Sequence, residues 1–274
     1  MLSLAWLAPG RVFNRLVPKD HGSRLLARAV AYGPEPRHRL DVYGPSQGPA
    51  PWPVVFYFHG GSWASGSRRT YDFVGRAIAA QGFVVAIPDY RLFPEVRYPS
   101  FLEDCALAVA WSLRAAGSHG GDPGRLALLG HSAGAYNASM LALDGRWLAG
   151  AGATGAVKAW AGLAGPYDFL PLASPITKQT FGWVEQLSAT QPVNFVRPGA
   201  PPAFLAHGDR DRTVAPRHTT KLASLLGEAG VEVEERHYAG IGHLGIAAAF
   251  ARPLRRNAPV LAEVTAFLRR HLGD

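Results

Sequence analysis

Sulfur is nearly absent from this chain of 274 residues, which carries one cysteine, Cys105, and two methionines. A single cysteine excludes an intramolecular disulfide and any small scaffold stapled by cross-links, so a hydrophobic core has to carry the fold. Cys105 falls within a helical pattern and is expected as a small core residue. No apolar run approaches the roughly 20 residues that a membrane-spanning helix requires, so no stable membrane span is expected. The amino terminus, MLSLAWLAPGRVFNRLVP, is apolar but has no basic stretch ahead of its short hydrophobic run, breaks at Pro9-Gly10 and offers no clear cleavage site. It is expected to form a helical segment over 1–25 that lies on the domain through Leu4, Leu7, Phe13 and Leu16, and the default location is cytoplasmic.

Acidic residues are the other scarcity: 20 Asp and Glu stand against 28 Lys and Arg, a formal net charge of +8. Such an excess can signal nucleic acid, but the arginines are scattered from Arg11 to Arg270. The densest basic features are isolated pairs such as Arg68-Arg69 and Arg255-Arg256, and no aromatic residues interleave with a basic stripe, so no nucleic-acid partner is expected. With 48% hydrophobic residues, the length suits one sizeable core and a single domain over 1–274, as a monomer or homodimer.

What is present is an alternation of short apolar runs with helical patterns. Ala27–Ala31 and Arg39–Tyr43 flank Gly33-Pro34 and read as a hairpin at a sheet edge. Strands are expected at Val54–Phe58, Phe83–Ile87, Arg125–Leu129, Val157–Leu163, Ala203–Ala206 and Val231–His237, with Arg125–Leu129 entered from the turn Gly121-Asp122-Pro123-Gly124. Helices are expected at Tyr71–Ala80, Ser100–Leu113, His218–Ala229 and Pro259–Leu272. This order predicts an α/β fold with a mostly parallel central sheet flanked by helices. The stretch 165–202, rich in Pro, Thr and aromatics without strong periodicity, is expected to cap the domain.

Ligands of such sheets bind beyond the carboxyl ends of the strands, and four of those ends carry chemistry. His59-Gly60-Gly61-Ser62-Trp63, Gly130-His131-Ser132-Ala133-Gly134, His207-Gly208-Asp209-Arg210-Asp211 and Gly240-Ile241-Gly242-His243 each follow a strand. Gly-x-Ser-x-Gly between strand and helix is the nucleophile-elbow pattern, and in that context it favours Ser132 as a nucleophile over the alternative of an ordinary helix N-cap. A serine nucleophile needs a base oriented by a third group. Of ten histidines, His243 follows the last strand in the chain order Ser, acid, His; His59 and His131 sit in glycine turns, and His119, His218 and His271 fall in loop or surface-helix settings. Asp209, Asp211 and Asp168 all follow strands. Asp211 lies deeper in its loop, with room to reach His243, while Asp209 suits backbone donors in the turn. His207, Asp209, Asp211 and His243 have weak spacing for a metal site, so neither metal nor cofactor is expected. Backbone N–H groups of Gly61 and Ser62, with that of Ala133, would form an oxyanion hole. Trp63, Tyr167, Phe169, Phe181 and Trp183 could line a substrate pocket or simply pack the core and cap.

These motifs make the chain resemble α/β-hydrolase-fold carboxylesterases of the esterase/lipase superfamily, close to the hormone-sensitive-lipase-like group. His59-Gly60-Gly61-Ser62-Trp63 departs from the His-Gly-Gly-Gly form of that group and is similar to the His-Gly-Gly-x-Trp of kynurenine formamidases, prenylcysteine methylesterases and some feruloyl esterases. His131 likewise stands where hormone-sensitive-lipase relatives commonly have Asp. The resemblance implies that His-Gly-x-x-Asp-x-x-Val places the acid at Asp211, with Val214 following. It also implies a small-molecule ester substrate with a short acyl or aryl group, hydrolysed through Ser132, His243 and Asp211. An arylformamidase or other amidase would use the same triad, and a non-catalytic binding member of the fold usually lacks one of the three.

Overall fold

A computed structural model of the chain describes residue 10 and residues 12–273. Eight strands form one sheet: β1 (Ser23–Ala31), β2 (Arg39–Pro45), β3 (Trp52–Phe58), β4 (Val84–Pro88), β5 (Gly121–His131), β6 (Val157–Leu163), β7 (Ala203–Gly208) and β8 (Val233–Tyr238). Their spatial order is β1-β2-β4-β3-β5-β6-β7-β8. β1 and β2 form the edge hairpin and pair antiparallel, β2 pairs antiparallel with β4, and every pairing from β4 to β8 is parallel.

The helices are α1 (Asp72–Ala79), α2 (Ser100–Ala115), α3 (Ala133–Leu143), α4 (Gly145–Gly150), α5 (Pro175–Phe181), α6 (Arg217–Glu228), α7 (His243–Ala248) and α8 (Val260–Leu272). They cover both faces of the sheet, and the period-two geometry of a strand divides the core accordingly. Val54, Phe56 and Phe58 of β3 belong to the same core as Leu102, Cys105 and Val109 of α2 and Leu222 and Leu226 of α6. Val55 and Tyr57 face the other way, toward Val74 and Ile78 of α1 and Val264 and Phe267 of α8. Burial on both faces explains why the central strands read as unbroken apolar runs rather than alternating ones.

Two expectations need correction. The turn Gly121-Asp122-Pro123-Gly124 lies inside β5: Trp52 and Pro53 pair with Gly121 and Asp122, and the register then jumps from Asp122 to Leu126. Pro123, with no N–H to donate, falls within the jump, and the Asp122 carboxylate accepts the Gly124 N–H at 2.9 Å. The turn chemistry is real, but it makes a bulge rather than a strand boundary. At the amino end, residues 12–16 are helical and β1 already begins at Ser23, inside the span expected to be helical. Phe13 packs edge-on against Phe73 at 5.4 Å, but Leu16 is 75% exposed and Val17 is the buried residue instead. Leu4 and Leu7 lie outside the described residues. Among the described residues no helix is long and apolar enough to cross a membrane.

Between β6 and β7 the chain makes its one long excursion, built from α5 and short 3-10 turns at Leu187–Thr190 and Pro192–Phe195. It is fastened to the body by the Tyr136 hydroxyl donating to the Thr190 carbonyl at 2.8 Å and the Tyr98 hydroxyl donating to that of Ala189 at 3.1 Å.

On the other side of the site the segment after β3 is anchored by buried charge. Arg68 donates from Nε to Asp41 at 3.0 Å and from Nη1 to Asp89, and the Asp89 carboxylate also accepts the Arg68 N–H at 2.6 Å. All three side chains are buried. Removing one partner strands a desolvated charge, the costly way to break such a group. Asp89→Ala is therefore expected to lower the unfolding free energy by about 3 kcal/mol or more. Urea denaturation reads this directly, and an unchanged midpoint would mean that the buried group carries no weight.

Candidate active site

The strand-to-helix turn after β5 bends too sharply for an ordinary backbone. Ser132 has φ 56° and ψ −123°, a left-handed conformation that a non-glycine residue holds only when its surroundings enforce it. The two flanking glycines make the turn possible. A Cβ on Gly130 would stand 2.1 Å from the Gly134 carbonyl oxygen, and one on Gly134 would stand 2.0 Å from that of Phe58. The Ser132 N–H is tied to the Leu163 carbonyl at 2.8 Å, fixing the elbow between β5 and β6. The Ser132 side chain makes no capping bond to α3, so the N-cap alternative falls away.

The hydroxyl faces a histidine instead. Ser132 Oγ is 2.9 Å from His243 Nε2, and His243 Nδ1 is 2.7 Å from Asp211 Oδ2. An ionised carboxylate can only accept, so Nδ1 carries the proton and Nε2 presents its lone pair to the serine hydroxyl. Asp211 Oδ1 accepts the N–H groups of Thr213 and Val214 at 2.8 and 2.9 Å, while Oδ2 is also met by His207 Nε2 at 3.1 Å. Burial disfavours the Asp211 carboxylate, but the Val214 N–H, the His243 imidazole and the Thr213 N–H outweigh it and hold its pKa below the ordinary value. Asp209 turns away to accept the Gly240 N–H at 2.7 Å, and Asp168 is engaged by Lys221 of α6 at 2.5 Å. Of the three acids that follow strands, Asp211 is the one hydrogen-bonded to His243.

The loop after β3 passes beside the elbow. Gly61, Ser62 and Trp63 have consecutive positive φ values of 128°, 52° and 56°. Such a run is strained and needs external support. The Trp63 carbonyl accepts the Phe93 N–H at 2.8 Å, Trp63 Nε1 donates to Asn137 at 3.2 Å, and the Tyr90 hydroxyl donates to the His59 carbonyl at 2.7 Å. Gly60 sits against the elbow, since a Cβ there would be 3.1 Å from that of Ser132. The N–H groups of Gly61, Ser62 and Ala133 donate to no acceptor among the described residues. They are available to a bound oxygen.

The five aromatic residues expected at a substrate pocket fall in different places, and Phe181 among them is fully buried. Trp63 is buried and packs against Phe101, Tyr136, Phe169 and Phe181 with ring centroids 4.8 to 6.1 Å apart. Tyr167 is fully buried and meets Trp160 edge-on. Phe169 is half-buried at the rim of the cluster, and Trp183 is 57% exposed. His218, expected on a surface helix, is buried, with Nδ1 accepting the Asp168 N–H at 3.2 Å. Sequence reasoning missed what holds the site together: His207 on the acid, His131 donating to the His243 carbonyl at 2.9 Å, and the Arg68 anchor. For the histidines the only signal was their place beside a strand-end glycine.

A family model described as BD-FAE matches residues 40–226. The chain is 30% identical over 260 residues to the probable isoprenylcysteine alpha-carbonyl methylesterase ICMEL1 of Oryza sativa subsp. japonica, covering 86% of this chain and 61% of that one. It is 30% identical over 230 residues to esterase LipC of Mycobacterium tuberculosis, covering 77% and 57%. The chain thus spans little more than half the length of these curated relatives. Among solved structures it is similar to esterase B from Lactobacillus rhamnosis, with a TM-score of 0.82 at 19% identity over 97% of this chain and 92% of that one. It is also similar to a Pyrobaculum calidifontis esterase, with a TM-score of 0.78 at 23% identity over 97% and 91%. These likenesses establish the α/β-hydrolase fold.

Histidine accumulates in and around this site in neutral form. Burial pushes His59 down to about 4, burial and the neighbouring His243 push His131 down to about 3, and burial with Arg217 pushes His218 down to about 4. Burial also lowers His207. On unfolding these imidazoles return to ordinary values near 6.5. Below that pH the unfolded chain binds protons that the folded chain excludes, so stability falls as pH drops from about 6.5 toward about 4. Asp211, with its depressed pKa, adds stability that is lost only below the ordinary carboxylate range. Urea midpoints at pH 7.5 and 5.0 check the sign: a lower midpoint at pH 5.0 is expected, with roughly one proton taken up per buried histidine on unfolding. Equal midpoints would contradict neutral burial.

Proposed function

The chain belongs to the BD-FAE family, and on that premise we propose that it is a serine carboxylic ester hydrolase acting on small to medium esters with short acyl or aryl groups. The observation that carries the proposal is the unbroken hydrogen-bonded line from Ser132 through His243 to Asp211, at 2.9 and 2.7 Å. Ser132 Oγ attacks the ester carbonyl while His243 Nε2 takes its proton, and Asp211 stabilises the imidazolium. The carbonyl oxygen becomes an oxyanion held by the N–H groups of Gly61, Ser62 and Ala133. Collapse of the tetrahedral intermediate breaks the bond to the alcohol oxygen, which His243 protonates. Water, deprotonated by the same imidazole, then releases the acid from Ser132.

Three things support the ester assignment. The backbone at Ser132 is strained in the manner of an elbow, the three N–H donors beside it are free among the described residues, and the curated relatives bear esterase names. Preference for a short acyl group is favoured by the packing of the aromatic cluster. Trp63, Tyr136, Phe169 and Phe181 fill the volume beside the loop with one another's rings, while Trp183 remains the exposed aromatic of the 165–202 cap. Trp63 and Tyr167 then act as walls behind the site, and Phe169 and Trp183 offer apolar surface to an acyl or aryl group.

A panel of p-nitrophenyl esters from acetate to laurate, run beside N-formylkynurenine, tests this assignment. Acetate or butyrate is expected to turn over at least about tenfold faster in kcat/KM than laurate, and Ser132→Ala to lower kcat by about 10⁴-fold or more. Full activity of Ser132→Ala would overturn the assignment. Preferential cleavage of N-formylkynurenine would move the enzyme to the amidases while leaving the triad in place.

A further inference from the structure

The acid of the site is shared between two imidazoles, and only one of them reaches the nucleophile. His207 Nε2 lies 3.1 Å from Asp211 Oδ2 and 2.9 Å from the Val214 carbonyl oxygen. A carbonyl oxygen can only accept, so His207 carries its proton on Nε2 and donates it to both. Its Nδ1 is then a bare acceptor, and it is met by the Thr219 hydroxyl at 2.8 Å. Thr219 and His207 are fully buried. The line Ser132, His243, Asp211 therefore continues through His207 to Thr219 on α6, with Asp211 fixing the tautomer of His243 and the Val214 carbonyl that of His207.

We propose that His207 is a positioning residue for the reaction, fixed in its tautomer by the Val214 carbonyl and seated by the Thr219 hydroxyl, which aims the Asp211 carboxylate at His243 and draws charge from its Oδ2. The role rests on the triad assignment made above. Its electrostatic consequence is specific. A second N–H on Oδ2 weakens that oxygen as a partner for the His243 imidazolium, so losing it leaves a carboxylate that holds the imidazolium more strongly but is less well aimed. Aim governs kcat, and charge governs the pH at which His243 becomes protonated. The other titratable groups packed around this line are His131, whose ring stands 4.9 Å from that of His243, and His218, flanked by Arg217, Lys221 and Asp168. His131 and His218 remain neutral down to about 3 and about 4, so they do not titrate on the acidic limb of a neutral-pH enzyme.

The test compares wild type with His207→Leu, His207→Gln and Thr219→Val on p-nitrophenyl acetate across pH 5 to 9, with urea melts of each. His207→Leu is expected to lower kcat by about 10- to 100-fold with little change in KM, and to move the acidic limb of kcat/KM upward by several tenths of a pH unit. His207→Gln restores an N–H near the Nε2 position and recovers much of both effects. Thr219→Val leaves the Nε2 proton held by Asp211 and Val214 but strips the buried Nδ1 of the donor that seats the ring, and so lowers kcat as well. It decides the matter alone if His207→Leu fails to fold. Rates that fall only in step with stability, with no movement of the acidic limb and no rescue by glutamine, would overturn the role. So would a fully active Thr219→Val where His207→Leu cannot be folded. Absence of wild-type esterase activity would instead overturn the triad assignment on which the role depends.

Discussion

The approach of Gly134 to the carbonyl of Phe58 leaves no room for a Cβ, and this contact between α3 and the end of β3 fixes the height and tilt of the elbow. Ser132 can adopt its left-handed backbone only because Gly130 and Gly134, two residues to either side, let the turn close, and because its N–H is drawn to the Leu163 carbonyl. Strain at one residue, of order 1 to 3 kcal/mol, is tolerable where a packed sheet enforces it. The parallel strands β3, β5 and β6, buried on both faces, are the rigid body that does so. The positions of His243 and of the loop after β3 follow, since both sit beyond the ends of strands in the same sheet.

Around this point the protein substitutes fixed dipoles and neutral imidazoles for water. Asp211 receives four donors, two from backbone N–H groups and two from histidines. His131 gives its one proton to the His243 carbonyl and so ties the loop after β8 to the residue beside Ser132. On the opposite side, the Arg68 group and Tyr90 hold the loop after β3, whose own backbone carries three positive φ values in a row. A desolvated setting of this kind makes each hydrogen bond near the reacting atoms count for more, at a cost in stability as the pH falls.

Much of this was legible in the residues. The alternation of buried runs and amphipathic helices gave the parallel sheet, and the Gly, Ser, Asp and His clusters at strand ends gave Ser132, Asp211 and His243, which the fold brings within hydrogen-bond reach. Chain order and turn chemistry are local properties, and one sequence records them. Partners set by tertiary packing were not legible. His207 is separated from Thr219 by twelve residues and His131 from His243 by 112, so nothing in the spacing of either announces its bond. Burial misled in both directions: His218 sits on a helix that reads as surface yet is enclosed, and Leu16 fits an apolar stripe yet faces solvent while Val17 packs inward. Trp63 follows the donor loop directly, but its positive φ turns the indole into the aromatic core.

The central claim is that Ser132 is a nucleophile activated by His243 and aimed by a strained elbow. Stoichiometric reaction of the folded protein with a fluorophosphonate, followed by mass mapping of the adduct, addresses it without any assumption about the natural ester. One adduct per chain is expected, on Ser132. No adduct, or an adduct on another residue, would contradict it.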